Sequence, residues 1–182
     1  MSRIPTPATK ADAPEASRPL LDAVETMLGS VPNMFRIIGN SPAALEGYLG
    51  LNGALAKGRL PAATRERIAL AVAQRNDCGY CLAAHTYLAA NLAKLDAAEI
   101  AANRKGFSND AKADAAVRFA AQIVEHRGGV QADAVKAVRD AGYTDAEIVE
   151  IVAHVALNTL TNYVNEVLET EIDFPRADRL AA

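Results

Sequence analysis

The sequence predicts an all-α fold, and three observations lead to that expectation. Hydrophobic residues make up 51% of the chain, alanine supplies much of that share, aromatic residues account for only 5%, and there is no tryptophan. Alanine has the highest helix propensity and little preference for strands, so this composition favours close-packed helices. Helix start and stop signals follow one another almost without interruption, and no window shows the sustained period-two alternation and turn dipeptides of strands. The expected architecture is a bundle of about seven or eight helices joined by short loops.

Each element has its own signals. Residues 1–18, with Pro5, Pro7 and Pro14, read as an extended arm that either wraps a neighbouring subunit or hangs as a loose tail. Pro19 opens a helix that closes near Gly29. Ser41 with Pro42 gives an N-cap followed by proline at the first helical position, and Gly58 lies near that helix's end. Thr64 starts a segment running over Arg65 to Arg75, Asn76 and Asp77 break it, and a further helix follows from Cys78 to about Leu92. Asp96 to Glu99 resembles a capping box with Asp in the cap position. A helix from near Asp110 to Arg127 stops at Gly128-Gly129, and a short one covers Ala132 to Asp140. Thr144 to Glu147 is a full capping box that opens the longest periodic run, Ile148 to about Glu171. Thr64, Ile68, Val72 and Ala73 recur 80 residues later as Thr144, Ile148, Val152 and Ala153, through either an old helical duplication or chance.

Length and charge bound the function. A chain of 182 residues holds one domain with a real core, so residues 19–182 are expected to form a single helical domain behind the arm. The net charge of -3 excludes a nucleic-acid footprint, and no Lys/Arg cluster points to a membrane surface. The first residues carry no apolar run of a signal peptide, and no stretch is long enough to span a bilayer. The expected location is the cytoplasm, where thiols are kept reduced. Cys78 and Cys81, the two cysteines, would close too small a loop to serve as a structural staple.

Those cysteines carry the candidate chemistry. Asn76 and Asp77 are good N-cap residues, which places Cys78 in the first turn of a helix and Cys81 one turn later. Free amides and the positive end of the helix dipole stabilise a thiolate there. His85 follows Cys81 by four residues and Cys78 by seven, so all three share one helix face. If the chain reverses at Asn76-Asp77 into an antiparallel hairpin, Glu66 lies beside His85 and can orient its imidazole as a base. A base, a relay and a dithiol are the parts needed for reversible thiol oxidation. A zinc half-site is the competing reading of the cysteine pair, but no second pair completes it. His126 reads as a surface cation at a helix end. His154, Asn158, Asn162 and Asn165 form a polar stripe on the last helix, read first as a solvated face and second as the lining of the active-site cavity. No phosphate-binding glycine loop occurs, so no cofactor is expected.

Arg65 to Ala73, then Asn76-Asp77-Cys78-Gly79-Tyr80-Cys81, then Ala84-His85 resemble the core of the carboxymuconolactone decarboxylase superfamily, in its AhpD-like alkyl hydroperoxidase (peroxidase-related) branch. Val31-Pro32-Asn33, Ala156-Leu157-Asn158, Thr161-Asn162-Tyr163 and Glu171 to Pro175 extend the resemblance over most of the chain. It implies an AhpD-like helical bundle that assembles as trimers or hexamers. It also implies that Cys81 attacks peroxide, Cys78 donates a proton and resolves the product, and Glu66 with His85 relays protons. In the branch's best-known member a relay histidine precedes the second cysteine; here that residue is Tyr80, a phenol of ordinary pKa about 10.

The expected function is a thiol-dependent peroxidase with an antioxidant role, re-reduced by a dithiol of lipoyl or thioredoxin-like type. Two alternatives stay open. One is a non-catalytic redox switch or binding module of the same fold. The other is a lactone-processing or decarboxylating enzyme that uses His85 as base.

Overall fold

A computed structural model describes residues 2–178, and among them every regular element is helical. Among the described residues nine α-helices occur: α1 (Arg18–Leu28), α2 (Asn33–Ile38), α3 (Pro42–Ala56), α4 (Ala62–Arg75), α5 (Gly79–Asn91), α6 (Ala97–Arg104), α7 (Ala111–Glu125), α8 (Ala132–Asp140) and α9 (Asp145–Leu168). The helix that sequence patterning passes over is α2, six residues between Pro32 and Gly39. It is too short to develop a clear 3.6-residue period, and it forms because Phe35, Ile37 and Ile38 bury against α1 and α3.

Capping residues set most boundaries. Ser41 Oγ accepts from the Ala44 amide at 3.3 Å, and Pro42 fills a position whose N–H would be unpaired in any case. Thr144 and Glu147 bond each other reciprocally, the Thr144 amide donating to Glu147 at 2.7 Å and the Glu147 amide to Thr144 Oγ1 at 3.3 Å. The Asp96 box closes on one side only. Asp96 caps the Glu99 amide at 2.7 Å, but the Glu99 carboxylate turns inward to accept from Arg67, Asn103, Ser108 and the Asn109 amide. Burial alone would raise its pKa, and these donors outweigh burial and hold it down at about 2.

The central element is α4. Ile68 to Ala73 are all buried, because α5, α6, α7 and α9 surround this helix. Ile68 and Val72 pack with Phe119 and Ile123 of α7, Val138 of α8, and Ile148, Ile151 and Val155 of α9. Ile68→Ala is expected to cost about 2–5 kcal/mol of unfolding free energy, read as a lower denaturation midpoint at unchanged slope. The 80-residue echo does not carry over to environment: Val72 is fully buried, whereas Val152 is exposed.

The N-terminal arm is extended apart from two short 3-10 turns, at Lys10–Asp12 and Glu15–Ser17, and lies across its own chain. The Arg3 amide donates to the Leu168 carbonyl at 2.8 Å, Asn40 Nδ2 to the Pro5 carbonyl at 2.9 Å, and Ser17 Oγ to the Gly39 carbonyl at 2.7 Å. Ala13 enters the α1–α3 core. Met1 and residues 179–182 of the expected arm and domain lie outside the described residues. Among the described residues no helix is long and apolar enough to cross a membrane.

Candidate active site

The reversal between α4 and α5 builds the centre of the site. Asn76 ends α4, Asp77 takes a left-handed conformation (φ +52°), and the Cys78 amide donates back to the Ala73 carbonyl at 2.9 Å. Asp tolerates this conformation better than most residues because its short polar side chain bonds locally. The hairpin is antiparallel, and it brings Glu66 and His85 together: Glu66 Oε2 lies 2.9 Å from His85 Nδ1. That ion-pair contact is partly open to solvent, with 22% of each side chain exposed.

The expectation that Asn76 or Asp77 caps α5 is corrected. Cys78 is itself the N-cap, and its sulfur accepts from the Cys81 amide at 3.3 Å. Cys78 therefore stands just outside the helix, and Cys81 occupies the third helical position. Both thiols are free and buried. The electrostatics separate them. Hydrogen bonding to Cys81, then burial, pushes the Cys78 thiol up, so it stays protonated. The Cys81 thiol is brought down to about 7, first by that bond with Cys78, against burial, and then by Asn165, the charge of His85 and Asn162. Burial pulls His85 down, but the charge and hydrogen bond of Glu66 outweigh it, and the net direction is upward. The arrangement favours the thiolate form of Cys81 beside the Glu66–His85 pair, with the Cys78 thiol next to it.

The polar stripe on α9 is likewise corrected. His154, Asn158, Asn162 and Asn165 are all buried, with Asn162 at 0% exposure. Asn165 Nδ2 donates to Cys81 Sγ at 3.3 Å. Asn162 Oδ1 accepts from Asn76 Nδ2 at 2.8 Å. His154 lies too deep to hold a proton: burial, then the charge of Arg65, lowers its pKa to about 4. No signal for this direction was present in the sequence, since Val149, Val152, Leu160, Tyr163 and Val167 make up an apolar stripe on the same helix that would ordinarily turn inward. Those residues are the ones exposed. His126, read as a surface cation, is exposed at the end of α7.

Tyr80 does not reach the proton relay. Its hydroxyl donates to Asp173 Oδ1 at 2.7 Å and accepts from the Met34 amide at 3.2 Å, and the other Asp173 oxygen accepts from the Asn33 amide at 2.7 Å. Burial raises the phenol's pKa, which removes it further from proton transfer. Ile172 and Phe174 pack with Tyr80, Cys78 and Cys81, so the C-terminal segment lies over the dithiol as a latched cover. Asp173→Ala removes the latch without touching a sulfur. Alkylation of Cys81 by a neutral reagent, followed by mass spectrometry, is expected to quicken about tenfold, the equivalent of a lost hydrogen bond worth roughly 1–1.5 kcal/mol. Among the described residues no group of three or more His, Cys, Asp or Glu side chains is placed to hold a metal ion.

Residues 42–125, from α3 through α7, match the carboxymuconolactone decarboxylase family. That segment contains Glu66, both cysteines and His85. This central segment of the chain is similar to that family. Solved structures share the fold of the whole chain. The alkylhydroperoxidase AhpD core of Ralstonia eutropha JMP134, an uncharacterized peroxidase-related protein, superposes with a TM-score of 0.83 at 24% identity, covering 94% of this chain and 92% of its own. An uncharacterized peroxidase-related protein from Silicibacter sp. TM1040 gives 0.80 at 21% identity, covering 93% and 91%. The debrominase Bmp8, as a cysteine-to-alanine variant in complex with 2,3,4-tribromopyrrole, gives 0.79 at 20%, covering 95% and 94%. No curated protein matches the chain. The architecture is thus AhpD-like, while the α9 asparagines and the Asp173 latch lie beyond the family-matched segment.

Proposed function

We propose that the protein is a thiol-dependent peroxidase of the alkyl hydroperoxide reductase type, working without a bound cofactor. The observation that carries this reading is the split between the two thiols beside the Glu66–His85 pair. Cys81 is near half ionised at neutral pH, and Cys78 keeps its proton. In the first step the Cys81 thiolate attacks one oxygen of a hydroperoxide. The O–O bond breaks, the leaving alkoxide takes a proton from His85, and Cys81 becomes a sulfenic acid. Cys78 then attacks that sulfur, the S–O bond breaks, and water leaves with formation of a disulfide. A dithiol donor of lipoyl or thioredoxin-like type returns the disulfide to two thiols. Antioxidant work in the cytoplasm fits this chemistry.

Organic hydroperoxide added in small excess to the purified protein is expected to remove two hydrogens' mass at Cys78 and Cys81. With excess dithiol, peroxide is then expected to be consumed over many turnovers. Disulfide formation without turnover would favour a redox switch. No reaction at either cysteine would return attention to His85 as the base of a lactone-processing or decarboxylating enzyme.

The likeness to a debrominase supports a second reading of the same dithiol. Two thiols can replace a carbon-bound halogen by hydrogen, leaving a disulfide and hydrogen halide. A bromopyrrole in place of hydroperoxide tests it, with bromide release as the readout.

Assembly belongs to the proposal too. The exposed apolar stripe on α9 and the small apolar residues on the outside of α3 leave surface that a second copy would cover, in keeping with a trimer or hexamer. Leu160→Glu puts a charge in that stripe and is expected to shift the protein to monomer in light scattering. An unchanged mass would remove α9 from the interface.

A further inference from the structure

Two asparagines of α9 stand on the face that meets Cys81, and only one of them is bonded to the sulfur. Asn165 Nδ2 donates to it at 3.3 Å. Asn162 Nδ2 faces the same sulfur, close enough to favour its charged form, yet it is fully buried with no hydrogen-bond partner. A buried donor without an acceptor costs about 1–3 kcal/mol. The orientation is not accidental. Asn76 Nδ2 donates to Asn162 Oδ1 at 2.8 Å, which commits the oxygen to the end of α4 and leaves the buried NH₂ group as the free end of the side chain. Asn76 is the residue that ends α4 ahead of the Asp77 turn, so the hairpin that places the dithiol also aims this donor.

We propose that Asn162 is a catalytic residue that hydrogen-bonds the oxygen passing from hydroperoxide to Cys81, with Asn76 as its positioning residue. The proposal rests on the peroxidase reading and adds a group that the family-matched segment does not contain. In the reaction the thiolate electron pair forms the S–O bond, the O–O bond breaks, and the departing alkoxide is protonated by His85. Negative charge moves from sulfur onto oxygen as this happens. A donor held beside the sulfur, already free of competing partners, stabilises that charge with no reorganisation. Asn165 holds the thiolate before attack; Asn162 Nδ2 is free to hold the oxygen during it.

The test compares two reactions of the same thiolate. Cumene hydroperoxide delivers oxygen to Cys81, whereas iodoacetamide alkylates it and needs no oxygen cradle. Stopped-flow oxidation and timed alkylation are measured at one pH above the Cys81 midpoint on the full chain, unaltered, as Asn162→Ala and as Asn76→Ala. Asn162→Ala is expected to slow oxidation by about 10²-fold while alkylation changes less than about threefold. Asn76→Ala, which leaves the buried asparagine in place but frees its amide, is expected to slow oxidation by a smaller factor with the same selectivity, and it keeps the test open if Asn162→Ala does not fold. Parallel loss in both reactions would show a role in thiol ionisation or packing and would overturn the proposal. So would unchanged oxidation in both variants. Failure of the unaltered protein to react with hydroperoxide while it alkylates normally would overturn the peroxidase reading and this inference together.

Discussion

Cys81→Ser is expected to abolish peroxide turnover, with kcat/KM falling about 10³-fold or more in a coupled assay with hydroperoxide and excess dithiol. A serine hydroxyl stays protonated at neutral pH and is a poor nucleophile toward peroxide oxygen. The neighbouring thiol does not substitute for it, because Cys78 is fully buried and pushed toward its protonated form by its bond to Cys81. The reciprocal variant separates the two roles. Cys78→Ser is expected to keep the first oxidation of Cys81 and stop there, so one oxygen's mass accumulates on Cys81 and no disulfide forms. Full multiple turnover in Cys81→Ser would sink the peroxidase reading outright.

The second large effect is on pH dependence, and its sign follows from the directions of two shifts. Cys81 ionises around pH 7, so reactivity rises as pH passes through that value. His85 is held above its ordinary value by Glu66, despite burial, so the imidazolium that would protonate the leaving oxygen in the proposed reaction survives to higher pH before it is lost. Activity is therefore expected to follow a bell whose acid limb belongs mainly to Cys81 and whose basic limb belongs mainly to His85. Because the groups interact, the limbs report the coupled set. Glu66→Gln removes the charge that holds the proton on His85. The basic limb is expected to move to lower pH and the bell to narrow. His85→Ala is expected to cost about 10²-fold or more near neutrality, the usual range for a positioned acid–base group. A profile for Glu66→Gln that superposes on the unaltered protein would remove Glu66 from the relay.

These expectations rest partly on residues that the sequence makes legible. The Cys-x-x-Cys pair with His85 four residues on, and Glu66 across a turn, can be read from spacing alone, because one helix and one tight reversal fix those distances locally. The order of the two thiols cannot be read in this way. By spacing Cys78 sits at the helix start, the position usually credited with the lowered pKa. The structure instead makes Cys78 the cap and donor, and gives the low value to Cys81. That outcome comes first from the bond between the two cysteines, and Asn165 and Asn162, more than eighty residues downstream, add to it.

The α9 stripe shows the limit most clearly. Helical spacing puts His154, Asn158, Asn162 and Asn165 on one face but gives no direction for that face, since periodicity carries no sign. A polar face ordinarily turns to water. Here it turns inward, because α4 and α5 offer it a thiol, an amide and an imidazole, while the apolar face is left outside. Tyr80 follows the same logic. Its place next to Cys81 suggests a substitute for a relay group, and only the fold of the C-terminal segment, with Asp173 and Phe174 arriving over it, assigns its hydroxyl to a latch.

What the sequence by itself determined is the all-α class, most helix boundaries, and the Glu66–Cys78–Cys81–His85 grouping. All of these follow from caps, propensities and contacts within a single hairpin. What tertiary structure alone decided is which face of α9 is buried, what covers the dithiol, and which distant side chains support the Cys81 sulfur that the resemblance already picks as the attacking thiol. Each of those depends on the packing of residues far apart in the chain, and short-range spacing does not encode such contacts.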